Sequence, residues 1–222
     1  MLTLPLSNVV HFPHPIRRVL CLGAHSDDIE IGCGGTLLKL IEENPSLEVY
    51  WVVFTAPNGR YGEAKDSAGE YLASLGEERA TIKICGFRES YFPAQWADIK
   101  DRFREISKAF EPDLVFTHTR EDRHQDHRVL SDLTWNAFRN HLVLEYEILK
   151  YDGDLGKPNV YIPLSEERAK RKIELLFKYF KSQASSKHWF DGESFSALHR
   201  IRGLESACQY AEAFYARKLT LG

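Results

Sequence analysis

AHSDDIEIGCGG, residues 24–35, decides how the rest of the chain is read. It follows RRVLCLG (17–23), a short apolar run with the composition of a buried strand. At the tip of that strand stand His25, Asp27 and Asp28, and then Gly32, Gly34 and Gly35. A carboxylate at the end of a core strand is costly unless it is paired or bound to a metal. Beyond it, GGTLLKLIEEN (34–44) sets Leu37, Leu38 and Ile41 on one helical stripe. A strand, an acidic tip, a glycine turn and a helix make the opening unit of an alternating chain.

The alternation continues. LEVYWVVFTA (47–56) is β-branched and aromatic, GEAKDSAGEYLASLG (62–76) is helical with Gly76 as its expected C-cap, and TIKIC (81–85) is a third strand. WADIKDRFREISKAFEP (96–112) is a helix ended by Pro112, DLVFTH (113–118) a fourth strand, and DHRVLSDLTWNAFRN (126–140) the next helix. LEYEILKYD (144–152) reads as a fifth, more polar strand nearer a sheet edge. Such alternation implies a Rossmann-like, doubly wound α/β fold with a mainly parallel sheet and core order 3-2-1-4-5. Strands 1 and 4 are then neighbours, and the ligand crevice lies beyond their carboxyl ends. His25 should therefore face HTREDRHQDH (118–127), which follows strand 4.

After residue 152 the pattern changes. DGDLGKPNVYIPL (152–164) reads as a loop with a short strand, and SEERAKRKIELLFKYFKSQ (165–183) as a helix capped by Ser165. KHWFDGESFSALHRIRG (187–203) reads as a loop and LESACQYAEAFYARKL (204–219) as a last helix. The expected organisation is one domain over 1–222, with an N-terminal arm (1–16), a core (17–152) and a C-terminal extension (153–222).

A net charge of -3 supplies no basic field, which argues against nucleic acid as a partner. The N-terminal MLTLPLSNVVHFPHPIRR lacks a basic n-region and is broken by prolines, and no apolar run reaches the roughly 18 residues of a membrane span. The four cysteines form no C-x-x-C pair, and Cys21 and Cys85 read as small core residues. The expectation from these features is a cytoplasmic protein. The oligomeric state is not readable, and a homo-oligomer stays open.

Two clusters carry the chemistry: His25, Asp27 and Asp28, and Asp122, His124, Asp126 and His127. Catalytic zinc takes three protein ligands and leaves one position open, and strand ends that meet can supply them. Each cluster alone also reads as a helix start, since Asp is a favoured cap and suits the helix dipole. Gly32, Gly34 and Gly35 match neither G-x-G-x-x-G nor a P-loop, and the adjacent carboxylates would repel phosphate. They fit a tight turn and close helix–strand packing.

AHSDDIEIGCGGTL together with DRHQDH resembles the LmbE-like, or PIG-L-type, zinc-dependent N-acetylglucosaminyl deacetylases, whose motifs read A-H-P-D-D-x-E with G-G-T-L, and H-x-D-H. The likeness also touches PDLVFTH, SQ (182–183) and YAEAF (210–214). Ser26 stands where the family usually has proline, and Asp122 where some members carry a mobile tyrosine. The resemblance implies His25, Asp28 and His127 as metal ligands, holding zinc, or iron(II) or another divalent ion in the cell. It implies Asp27 as general base, His124 as the group that stabilises the oxyanion or protonates the amine, and Asp126 as the partner that orients His124 and keeps it charged.

The implied substrate is a small-molecule amino-sugar conjugate, with Arg60 after strand 2 as the candidate substrate contact. Trp189 and Phe190 are further aromatics that could stack on a sugar, and Arg202 either borders the pocket or pairs with an acid. His118, at the end of strand 4, reads as a structural histidine or as a supporting group behind a metal ligand. Hydrolysis of another amide or ester is the alternative activity, and a non-catalytic metal- or ligand-binding module the alternative class. A two-metal phosphoesterase would ask for more carboxylate ligands.

Overall fold

The computed structural model describes residues 16–57 and 59–219, so the N-terminal arm lies almost wholly outside the described residues. Seven strands form one sheet: β1 (Arg18–Gly23), β2 (Glu48–Val53), β3 (Ala80–Ile84), β4 (Leu114–His118), β5 (Leu142–Tyr146), β6 (Val160–Leu164) and β7 (Tyr210–Tyr215). Their order is β3-β2-β1-β4-β5-β7-β6, parallel from β3 to β5, with β7 antiparallel to both β5 and β6. The core order 3-2-1-4-5 is as the alternation implied. β1 separates the two faces of the core with the period of a strand. Val19 and Cys21 pack on the face covered by α1 (Asp28–Glu43), α2 (Arg60–Leu72) and α5 (Glu166–Tyr179). Leu20 and Leu22 pack on the face covered by α3 (Trp96–Ala109) and α4 (Gln125–Ala137).

Four sequence expectations are corrected. Residues 144–152 do not form an edge strand: β5 begins at Leu142, is buried along its length, and lies between β4 and β7. Its polar Glu145 is held inside by Trp135 Nε1 at 2.5 Å and by Arg217. The segment read as a last helix instead enters the sheet as β7, because Ala211 and Ala213 alternate with Glu212 and Phe214 and all four are buried. Pairing on both sides overrides the helix preference of its alanines. After the short α6 (Lys181–Ser186), the segment read as a loop contains α7 (Gly192–Glu205), started by Asp191, whose Oδ1 accepts the Glu193 and Ser194 N–H groups. Finally, α2 ends at Leu72, and Gly76, at φ +73, closes the turn that follows. The Ser165 cap of α5 is present, accepting the Arg168 N–H.

α1 begins at Asp28, inside the acidic tip, and is broken at Cys33, whose φ of -143° is not helical. The break frees backbone groups that burial would otherwise orphan. Lys172 Nζ donates to Ile31 O at 2.6 Å, while Glu212 accepts Gly35 N at 2.8 Å and Thr36 N at 2.7 Å. Lys172 and Glu212 pair with each other at 2.7 Å, both buried. The C-terminal elements α5 and β7 therefore hold the helix that starts with Asp28. Gly32 allows the close fit beneath it, since a Cβ there would come within 2.2 Å of the Tyr146 ring.

Breaking a buried pair leaves an uncompensated charge. Lys172→Met should lower stability by about 3–5 kcal/mol, seen as a reduced denaturant midpoint, with Lys172→Met/Glu212→Gln recovering part of the loss. An unchanged midpoint in the single variant would show that the pair does not hold the break.

Candidate metal centre and active site

β1 and β4 run side by side, and their carboxyl ends deliver the two clusters to one point. His25 Nδ1 lies 3.0 Å from His127 Nε2 and 3.3 Å from Asp28 Oδ2, and His127 Nε2 lies 3.5 Å from that same oxygen. Tetrahedral bonds of about 2.0–2.1 Å set ligand atoms roughly 3.3 Å apart, so these three donors fit one ion. The outer nitrogens support this reading. His127 Nδ1 meets Asp122 Oδ2 at 2.9 Å and His25 Nε2 meets Asp126 Oδ2 at 3.3 Å. A ring nitrogen facing a carboxylate carries the proton, so the inner nitrogens face each other as lone pairs. Two inner ring nitrogens and a carboxylate oxygen at such separations suit a cation between them.

The electrostatics agree. Burial pulls His25 down, but Asp28 and Asp126 outweigh it and raise its pKa to about 10. Burial and the neighbouring His118 hold His127 at about 3. The rings accept one positive charge and refuse a second. Burial pushes the Asp28 carboxyl up, but His127, His118 and His25 outweigh it and keep Asp28 well below the usual carboxylate range.

Among the described residues two other sets come close enough to hold an ion, His25/His124/His127 and Asp28/His118/His127. In each, one histidine is engaged elsewhere. His124 Nδ1 accepts the Asp126 N–H at 3.2 Å as the cap of α4. His118 Nε2 lies 3.1 Å from the Ala24 N–H and 3.2 Å from the Tyr146 hydroxyl. His118 nonetheless belongs to the site, stacked 3.9 Å from the His127 ring and 3.2 Å from Asp28 Oδ2.

Asp27 occupies the cap position of α1 without making a capping bond, and its buried Oδ2 has no hydrogen-bond partner among the described residues. The bland reading of this aspartate as a helix cap therefore does not describe it. Burial and then Asp28 raise its pKa to about 7, against the pull of His25 and Arg60. One assignment needs correcting. The Asp126 carboxylate does not orient His124: it accepts the Ser90 N–H at 2.6 Å and the Phe92 N–H at 3.1 Å, and turns to His25. Burial and His25 keep His124 below the usual imidazole value, outweighing the upward pull of Asp126, Asp28 and Asp122. With Nδ1 accepting a backbone N–H, His124 carries its proton on Nε2 and is a neutral donor.

Asp27, Asp28, His25, His124 and His127 line one cavity of about 700 Å³. Arg60 lies in its wall, paired with Glu89 at 2.5 Å. Trp189 lines the cavity too, whereas Phe190 is buried in the core and Arg202 pairs with Glu147 at 2.7 Å. Sequence reasoning missed Asp122 as the partner of His127, and Lys150, whose Nζ sits 3.0 Å from Asp122 Oδ2. The signal for Asp122 was its place five residues before His127, in the loop that enters α4; Lys150 meets it only once β5 lies beside β4.

Residues 20–138 match the model of the PIG-L family, described as GlcNAc-PI de-N-acetylase. Over 181 residues, 73% of this chain and 90% of the relative, the sequence is 30% identical to the uncharacterized deacetylase YaiS of Escherichia coli. The chain belongs to the PIG-L (LmbE-like) deacetylase family. Both motif clusters fall inside the matched region. The N,N'-diacetylchitobiose deacetylase of Pyrococcus horikoshii shares the family fold with a TM-score of 0.69 at 20% identity, covering 96% of this chain and 86% of that one. The 4-carboxy-2-hydroxymuconate hydratase of Pseudomonas putida has a TM-score of 0.65 at 14% identity, covering 93% and 98%. The fold alone thus leaves the reaction open, and the side chains must decide it. Among the described residues no helix is long and apolar enough to cross a membrane.

Removing a carboxylate that orients a metal-bound histidine typically costs 10–100-fold in metal affinity. Asp122→Asn should weaken zinc binding by about that factor, measured by chelator competition; an unchanged affinity would remove Asp122 from the site.

Proposed function

We propose that the protein is a divalent-metal-dependent N-deacetylase of N-acetylglucosamine-type sugar conjugates, with His25, Asp28 and His127 holding the ion and zinc as the favoured occupant. Iron(II) has the same claim on two nitrogens and one oxygen. The observation that carries this reading is the buried Asp27 Oδ2, without a hydrogen-bond partner among the described residues, beside a complete three-donor set. A metal-storing or ligand-binding module has no use for a buried carboxylate that neither binds the ion nor caps its helix.

When bound, the ion polarises an amide carbonyl and lowers the pKa of water to roughly 7. The chain's own residues do the rest. Asp27, raised to about 7 by burial and Asp28, is matched to take a proton from the attacking water near neutral pH. His124 offers Nε2–H as a neutral donor to the carbonyl oxygen as charge gathers there. The proton held on Asp27 then passes to the leaving amine nitrogen. Asp126 and Asp122 keep the His25 and His127 rings in the tautomers that present lone pairs inward. Arg60 and Glu89, a donor and an acceptor side by side in the wall, suit ring hydroxyls. Residue chemistry supports hydrolysis of an amide; the family supports the amino sugar.

Free acetate release from N-acetylglucosamine conjugates should be abolished by a chelator. Asp27→Ala should retain the metal, measured by elemental analysis, while turnover falls about 10²–10⁴-fold. Metal lost in proportion to activity would make Asp27 a ligand and overturn its assignment as base.

A further inference from the structure

Lys150, in the segment between β5 and β6, takes no part in the proposed proton transfers. Its side chain is only 7% exposed, and its Nζ sits between two buried carboxylates, 3.0 Å from Asp122 Oδ2 and 2.6 Å from Asp154 Oδ2. An enclosed ammonium loses its hydration and the freedom of a long side chain, and the two anions offset that loss. The two carboxylates differ in what else they hold. Asp154 Oδ2 also accepts the Arg123 N–H at 2.7 Å. Asp122 stands behind a metal donor: its Oδ1 accepts the His124 N–H at 2.7 Å, and its Oδ2 is shared between Lys150 and His127 Nδ1, the latter at 2.9 Å.

The segment that carries Lys150 and Asp154 is fastened at both ends. Arg202 grips Glu147 through two bonds of 2.7 Å and reaches Gly156 O at 3.3 Å. Lys150 therefore meets Asp122 from a fixed base. The terminal torsion of an aspartate is broad, so the direction of Oδ2 is set by the groups that bind it. Without Lys150, Asp122 and Asp154 would face each other across one gap with no cation between them, and like charges would drive them apart. As Asp122 turns, His127 Nδ1 loses the acceptor that keeps its proton there. The proton can then sit on Nε2, the atom that faces His25 and Asp28.

We propose that Lys150 is a positioning residue of the metal centre: from the fastened β5–β6 segment it pins Asp122 against His127, and so raises the affinity of the donor set for its ion. It acts through Asp122. This rests on the reading of His127 as a metal ligand.

The test measures the zinc affinity of the whole chain by chelator competition. Lys150→Met should weaken it about tenfold, the lower end of the range for groups that orient a metal-bound histidine. In the Asp122→Asn background the same change should add less than about twofold, because a contact that works through Asp122 has nothing left to hold. An affinity unmoved by Lys150→Met, as for a lysine that served only the cavity wall, overturns the proposal, and so do losses that multiply in the double variant. Should Lys150→Met fail to fold, Lys150→Gln, similar in length and without the charge, is read by the same criteria. His127→Ala separates this proposal from the metal assignment. If it leaves zinc affinity unchanged, His127 is no ligand, and proton–nitrogen correlation spectra of the imidazoles in the metal-free protein then decide the role of Lys150. A His127 proton that sits on Nδ1 in the natural protein and moves in part to Nε2 in Lys150→Met upholds it; the same tautomer in both overturns it.

Discussion

Two imidazole nitrogens at 3.0 Å, each with a carboxylate behind its outer ring nitrogen and both facing one aspartate oxygen, form an arrangement that a positive charge between them stabilises, and a divalent ion can supply it. The rest of the molecule is arranged around that demand. Asp122 and Asp126 fix the rings, and His118 supports His127 from its other face. Asp27 Oδ2 is left beside the set with no hydrogen-bond partner among the described residues. A buried carboxylate in that position is a cost in stability, and such costs are kept where chemistry uses them.

The sheet order brings the donors together, but the C-terminal elements hold one of them in place. Asp28 opens a helix that breaks one turn later, and the carbonyl and amides released by the break are taken by Lys172 and Glu212, from α5 and β7. Tyr146 packs against Gly32 and sends its hydroxyl to Leu22 O at 2.6 Å, tying β5 to β1 directly under His118. The extension is in this sense part of the site, although its nearest contribution is to backbone groups rather than to the donors themselves. The same logic extends to the segment after β5, where Arg202 on α7 fastens the stretch that carries Lys150.

The parts legible in the sequence were those that local pattern and one topological rule determine. Strand–helix alternation gave β1 to β5 and their order, and the switch point between β1 and β4 brought His25 and Asp28 to face His127. What escaped were side chains whose partners are set by packing. Asp126 is two residues from His124, yet its position at the start of α4 turns it toward Ser90, Phe92 and His25. YAEAFY reads as helix by composition and becomes a strand because β5 and β6 pair with both of its edges. Glu212 in that strand carries a charge at a buried position, a mark of a specific partner, but nothing in the linear pattern names Lys172.

The claim beneath all of this is that one divalent ion sits among three named donors. Anomalous diffraction at the zinc edge, from crystals of the zinc-loaded protein, tests it most directly. The account predicts one strong peak about 2.0–2.2 Å from His25 Nδ1, Asp28 Oδ2 and His127 Nε2, with Asp27 and His124 outside the coordination sphere. A peak elsewhere in the molecule, or one bound through Asp27, would contradict it.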